Sequence, residues 1–148
     1  MKKFLIISIA ILTFSILRAQ SNTANWVPIT VEKDKSLLIN VTSLSNFTGN
    51  EIYVWCLEEM NSPMSMEEVN GDIYKVRTYY HINKEINRYS ILQIIFYDSK
   101  SNVLKQYSYK HASEKPEFKF SHPITRNSDV DKILAKCLEY LNQPIEKK

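Results

Sequence analysis

The sequence predicts an α+β domain in which an antiparallel sheet of about six strands carries a C-terminal helix on one face. Short segments with two-residue alternation of side chains fill most of the chain as far as His122. The spacing then changes, and from Val130 to Leu141 the apolar residues recur at i, i+3, i+4, i+7, i+8 and i+11. A helix with one such stripe must bury it, and the preceding sheet offers the surface.

The segment Glu51–Glu58 is predicted to be the central strand of this sheet. Its side chains alternate between two apolar rows, which are Ile52, Val54 and Cys56 on one side and Tyr53, Trp55 and Leu57 on the other. Because both rows are apolar, we expect the strand to be covered on both faces.

The other elements follow from similar patterns. Asn61–Asn70 is expected to be a loop, and Asn70-Gly71-Asp72 a hairpin turn, because Asn-Gly suits positive φ. Ser128 is a suitable N-cap for the helix, and Pro144 ends it. Further strands are predicted at Trp26–Val31, Ser36–Val41, Ile73–Ile82, Arg88–Tyr97, Val103–Tyr109 and Pro116–His122.

The N-terminal segment Met1–Ala19 has the pattern of a cleaved signal peptide. Two lysines precede the apolar run Phe4–Leu17, and Ala19 offers a small residue for cleavage. An uncleaved membrane anchor is the alternative, but the run is shorter than the roughly 20 residues that a spanning helix needs. No cysteine directly follows the run, so a lipoprotein anchor is not expected. We therefore expect an exported single domain over residues 20–148, located in the periplasm, on the cell surface or outside the cell, with no membrane span.

The net charge of +3 belongs to this N-terminal segment, which has three basic residues and no acidic one. The rest of the chain has 16 basic and 16 acidic residues and is formally neutral. A general electrostatic attraction to nucleic acid or to an anionic membrane is therefore not expected. The lysines between Lys100 and Lys119 are typical of solvated strand edges, although they also suit docking of an acidic partner.

Cys56 and Cys137 are the only cysteines of the chain. Export would place them in an oxidising compartment, and both lie on faces that are predicted to meet. We therefore expect a disulfide that holds the helix on the sheet. The alternative is a pair of buried free thiols that pack as small hydrophobic groups.

No motif for catalysis, a metal or a cofactor is found. There is no GxSxG, HExxH or phosphate-binding glycine loop. The three histidines, His81, His111 and His122, are scattered, so ordinary strand or surface positions explain them better than metal binding. Met60, Met64 and Met66 have thioethers that suit Cu(I), but a methionine-bearing segment that covers a core edge is the commoner arrangement.

The chain resembles the surface-adhesin protein E family of bacterial secreted proteins. The resemblance rests on SLLINVTSLSNFTGNEIYVW, ending at Trp55, on FYDSKSNVL, on HPIT at residues 122–125, and on a terminal helix carrying Cys137. It implies a sheet with a disulfide-tethered C-terminal helix and a role in binding extracellular-matrix proteins. In the family pattern the first cysteine lies near the position of Lys84, whereas this chain has Cys56. No binding motif of the family is carried over.

These observations predict a non-enzymatic binding or adhesion module with a protein partner from the envelope or the extracellular matrix. A binder or inhibitor of another envelope protein is the first alternative, and a small envelope enzyme of unrecognised mechanism is the second. Tyrosine is abundant on the predicted strands, where it serves either packing or recognition. The predicted contact residues are Lys105, Tyr107, Tyr109 and Lys110.

If the N-terminal segment is a signal peptide, the exported protein should begin near Gln20 and carry no lipid. Mass spectrometry of the protein recovered from outside the cytoplasm tests this expectation. An intact Met1–Ala19 segment or an acylated N-terminus would contradict it.

Overall fold

The computed structural model describes residues 24–42, 44, 47, 49–109 and 119–142. Six strands pair antiparallel in chain order, and a seventh, short strand pairs with β5 on the side where β6 lies. The strands are β1 Trp26–Val31, β2 Lys35–Asn40, β3 Glu51–Met66, β4 Val69–Asn83, β5 Arg88–Tyr97, β6 Val103–Ser108 and β7 His122–Pro123, and the C-terminal helix is α1, Asp129–Leu141. The predicted six-stranded antiparallel sheet with a C-terminal helix is confirmed.

Some predicted features lie outside the described residues. These are the N-terminal segment Met1–Ala19, the helix-ending Pro144 and the first three residues, 116–118, of the predicted strand Pro116–His122. At the end of that predicted strand, the structure has the two-residue strand β7. Within the part of the chain that the structure describes, no helix has the length and apolar character to cross a membrane.

The helix α1 begins as its sequence predicts. The Ser128 side chain accepts a hydrogen bond from the backbone N–H of Asp131 at 3.2 Å, which is the N-cap interaction. The Asp131 carboxylate in turn accepts from the backbone N–H of Asn127 at 2.8 Å. The Lys35 ammonium on β2 is 3.2 Å from Asp129 and 3.3 Å from Glu58 on β3, so it links the start of α1 to the sheet.

One face of the sheet forms the main core together with α1. The β3 row Ile52, Val54 and Cys56 is buried, as are the neighbouring residues of β2 and β4. Across from them lie the buried residues of α1, which are Val130, Ile133, Leu134 and Cys137. These side chains belong to one apolar cluster, and their burial provides the main stabilisation of the helix position.

The second β3 row is not covered as predicted. Tyr53, Trp55 and Leu57 are only half-buried, because α1 has a single apolar stripe and packs on the opposite face. The expectation that both faces of the central strand are covered is therefore wrong.

The expected loop Asn61–Asn70 is instead the end of a long hairpin formed by β3 and β4. Its turn lies at Glu67 and Glu68, so the prediction of a turn at Asn70-Gly71-Asp72 is also wrong. Val69 and Ile73 continue the strand pattern and are buried in a second apolar cluster with Phe96 of β5. Burial of these side chains favours the longer strands over the local turn signal.

Gly71 has a different role from the predicted turn residue. It lies within β4 at φ +117°, and a Cβ atom there would be 3.1 Å from the Cδ2 atom of Leu104 on β6. Glycine therefore allows the hairpin to approach β6 closely, which the Asn-Gly sequence pair cannot reveal.

The predicted disulfide is not formed. Cys56 and Cys137 are both buried free thiols in the main core and are not at disulfide distance. A disulfide requires Cα atoms about 4.4–6.8 Å apart. Ile133 and Leu134 are buried in the same cluster as the two cysteines. The alternative of two thiols that pack as small hydrophobic groups describes this core.

The thiols should be protected in the folded protein. Burial raises the pKa of Cys56 and raises that of Cys137 to about 12, so thiolate is scarce at pH 8. We expect two reactive thiols per chain after unfolding without reductant, and almost none before unfolding. Titration with a chromogenic thiol reagent in the presence and absence of denaturant measures both values, and fewer than two thiols in the unfolded protein would contradict the structure.

Candidate functional site

The face of the sheet opposite α1, called here the open face, carries a row of aromatic side chains. The rings of Tyr53 and Tyr79 have centroids 6.3 Å apart, and Tyr79 stacks on Trp55 at 4.7 Å with 17° between the ring planes. All three are half-buried. The row runs across β3 and β4, and each of its residues remains partly accessible to solvent.

Strand register explains why these residues meet. Tyr53 pairs with His81, Trp55 with Tyr79, and Leu57 with Arg77, and directly paired residues of antiparallel strands share a face. Alternation then places each of these pairs on the face that α1 does not cover.

The row ends at Arg77, whose guanidinium contacts two indole rings. Its Cζ atom is 4.2 Å from the ring centroid of Trp55 and 5.5 Å from that of Trp26 on β1. Both contacts are within the range of cation–π attraction. Trp26 and Trp55 are the two tryptophans of the chain, so both indoles flank the same arginine.

Arg77 has few polar partners in the part of the chain that the structure describes. Its Nε atom is buried and has no hydrogen-bond partner among the described residues. Within the described part of the chain, no carboxylate comes within 4.0 Å of the guanidinium. A buried donor without an acceptor costs about 1–3 kcal/mol, and more when it is charged. The arginine is therefore held by its aromatic neighbours rather than by an acid.

A pocket of about 180 Å³ lies beside this arginine. Its walls combine apolar and polar groups, and the lining residues are Trp26, Leu57, Lys75, Arg77, Tyr97 and Ser101. The Lys75 ammonium is 3.2 Å from the Glu59 carboxylate. Lys75 and Glu59 neutralise each other, which leaves the Arg77 charge without a counterion among the described residues of the pocket.

A polar cluster lies at the other end of the aromatic row. One Glu51 carboxylate oxygen, Oε2, is 2.7 Å from His81 Nε2, and the Lys119 ammonium donates to both Glu51 oxygens at 3.0 and 3.1 Å. The His81 ring is 2 % exposed and stacks on Tyr53 at 4.1 Å. Phe120 lies against the same ring at 4.6 Å.

This cluster is organised to hold the chain together. Although burial alone would raise the pKa of Glu51, hydrogen bonds from Lys119 and His81 outweigh it and lower that pKa. The Lys119 carbonyl also accepts from the Ser90 hydroxyl at 2.6 Å, which attaches the segment after residue 118 to β5. The imidazole is enclosed by two rings and bound to a carboxylate, so it is not presented to a substrate.

The predicted contact residues are placed on and after β6. Lys105 and Tyr107 share a face, with the ammonium 5.4 Å from the ring centroid, and the Tyr107 hydroxyl donates to Glu68 at 2.9 Å. Tyr107 also packs against Phe96 in the second apolar cluster. Tyr109 follows the strand and is 47 % exposed, while Lys110 lies outside the described residues. The structure brings Lys105 and Tyr107 together. The hydrogen bond from Tyr107 to Glu68 attaches β6 to the turn of the β3–β4 hairpin.

Among the described residues, the geometry does not support a metal site at the histidines or at the methionines considered in the sequence analysis. No group of three or more His, Cys, Asp or Glu residues that could hold a metal ion occurs among the described residues. His111 lies outside them. Met60 packs against the second apolar cluster, and Met64 and Met66 are 36 % and 41 % exposed on the hairpin.

The sequence analysis did not single out Trp26, Arg77 and the pocket beside them. The available signal was an arginine at the alternating position of a tyrosine-rich strand, with one tryptophan on each of two other strands. That signal is interpretable only when register is known, because Arg77 is 22 residues from Trp55 and 51 from Trp26 in the sequence.

Comparisons of the chain with known protein families, curated proteins and solved structures find no match.

The pH dependence of stability should show the contribution of Glu51. Because its pKa in the folded protein lies below the usual 4.5, its contribution is complete above the unfolded-state pKa and disappears as pH falls through the folded-state pKa. Glu51→Gln should destabilise the protein by about 1 kcal/mol at pH 7 and by much less at pH 3. Urea unfolding at both pH values measures the difference.

Glu139→Gln is the matched control, because Glu139 forms an exposed pair with Lys136 within α1. Its effect should be small at both pH values. An equal loss of stability at pH 7 and pH 3 for Glu51→Gln would show that the charge of Glu51 is not what stabilises the cluster.

Proposed function

We propose that this protein is an exported, non-enzymatic binding module that holds a protein partner of the envelope or the extracellular matrix on its open face. The observation that carries the proposal is the contact of Arg77 with Trp26 and Trp55, which places a cation against two indoles on the sheet face that the helix leaves uncovered.

The composition of the open face supports this assignment. Tryptophan, tyrosine and arginine are the residues most enriched among those that dominate binding energies. Here they form one surface, because Tyr79 stacks on Trp55 and Trp55 contacts Arg77. Antiparallel pairing fixes the order of these side chains, so little side-chain entropy remains to be lost when a partner binds.

The polar cluster supports the non-enzymatic part of the proposal. Glu51 and His81 form a carboxylate–imidazole pair of the kind that general acid–base catalysis uses. The imidazole is 2 % exposed, and its Nε2 atom is already bound to Glu51. A structural role accounts for all of these contacts.

The proposed export of the protein and the proposed class of its partner rest on the sequence. Met1–Ala19 has a signal-peptide pattern, and the resemblance to the surface-adhesin protein E family suggests a partner from the extracellular matrix. The open face supplies the surface through which such a partner would bind.

The experiment compares two sets of variants in capture of purified envelope and matrix proteins. The open-face variants are Trp26→Ala and Arg77→Met, and the comparison variant changes Lys105 and Tyr109 to alanine. For each partner that the unchanged protein binds, we expect the open-face variants to weaken affinity at least tenfold. The comparison variant should bind normally.

Circular dichroism and thermal unfolding of every variant separate a lost contact from a lost fold. If binding instead fails only in the variant with changes at Lys105 and Tyr109, the contact surface is the β6 region and the open-face proposal is wrong.

A further inference from the structure

We propose that the pocket beside Arg77 binds a carboxylate that is joined to a flat apolar group. This inference rests on the proposed function, because it names the chemical group that the open face would recognise. Three features of the pocket lead to it: the unmatched charge of Arg77, the nature of the walls, and the size of the space.

The charge of Arg77 is the first feature. The guanidinium has aromatic neighbours on two sides and no carboxylate within 4.0 Å among the described residues. Its planar, rigid set of N–H donors matches the two oxygens of a carboxylate. Lys75 is neutralised by Glu59 at 3.2 Å, so one positive charge remains. A monoanion balances that charge, whereas a phosphate dianion would leave an excess of negative charge beside Glu59.

The walls are the second feature. Leu57 and Tyr97 offer an apolar and an aromatic surface, while Ser101 adds a hydroxyl. A ligand that carried only a carboxylate would leave this apolar surface exposed. A flat apolar group attached to the carboxylate would remove the apolar surface of the walls from water. This burial contributes about 25 cal/mol for each Å².

The size of the space is the third feature. A cavity of about 150 Å³ accommodates a benzene ring, and this pocket has about 180 Å³. Benzoate is therefore a suitable probe. Two sources share this chemistry, namely a free planar carboxylate and an acidic residue of the protein partner next to an apolar one.

Titration of the isolated full-length protein with benzoate, followed by the NMR signals of the indole N–H groups, tests the inference. Both tryptophans of the chain contact Arg77 and Trp26 lines the pocket, so the indole signals report on binding at this arginine. We expect saturable shifts with benzoate and at least tenfold weaker binding of benzamide, which has the same shape without the charge. Arg77→Lys keeps the charge but loses the paired donors, and it should also weaken benzoate binding at least tenfold.

Arg126→Lys is the matched control, because Arg126 is exposed and outside the pocket. It should bind benzoate as the unchanged protein does. If Arg77→Lys fails to fold, comparing benzoate with benzamide on the unchanged protein still decides the question. Equal affinity for the two probes, or no saturable shift with either, would overturn the inference.

A competition experiment distinguishes the two sources and the two proposals. Displacement of a captured partner by benzoate assigns the pocket to a carboxylate of that partner. Benzoate binding that leaves the partner in place assigns the pocket to a free carboxylate. If the open-face variants lose the partner but benzoate does not bind, the inference about the carboxylate fails and the proposed function stands.

Discussion

The single apolar stripe of α1 is the constraint on which the rest of the structure depends. A helix with one stripe can cover one face of a sheet, and α1 covers the face that presents Ile52, Val54 and Cys56. Alternation in β3 then requires Tyr53 and Trp55 to lie on the other face. The position of the helix and the existence of an open aromatic face are therefore consequences of the same packing.

The end of the long β3–β4 hairpin contributes to a second apolar cluster on the face of the sheet that α1 covers. α1 lies over the part of the sheet formed by β1 to β4, whereas the second apolar cluster gathers Val69, Ile73 and Phe96 at the β5–β6 end. Cys56 pairs with Thr78, Thr78 with Ile94, and Ile94 with Tyr107, so both clusters lie on one face. The buried apolar side chains of both clusters therefore lie on one side of the sheet.

The two ends of the open face differ in how their charges are satisfied. The Glu51 carboxylate is bound by His81 and Lys119, so the Glu51 and Lys119 charges are paired within hydrogen-bond distance. Arg77 has aromatic neighbours and a buried Nε atom that has no acceptor among the described residues. Burial makes an unmatched donor costly, whereas a matched pair can be retained for structure alone. This difference makes the Arg77 end the candidate binding site and the Glu51 end a structural element.

The sequence by itself determined the fold class, the strand Arg88–Tyr97 and the helix with its Ser128 cap, because periodicity and capping are local properties. Tertiary structure alone decided three further features. It extended β3 and β4 through a predicted loop, because Val69 and Ile73 gain more from burial than the Asn-Gly pair gains from a turn. It left Cys56 and Cys137 as free thiols in one core, because burial on a shared face does not by itself bring two cysteines to disulfide distance. It also placed Trp26 and Trp55 around Arg77, because only strand register joins residues so distant in the chain.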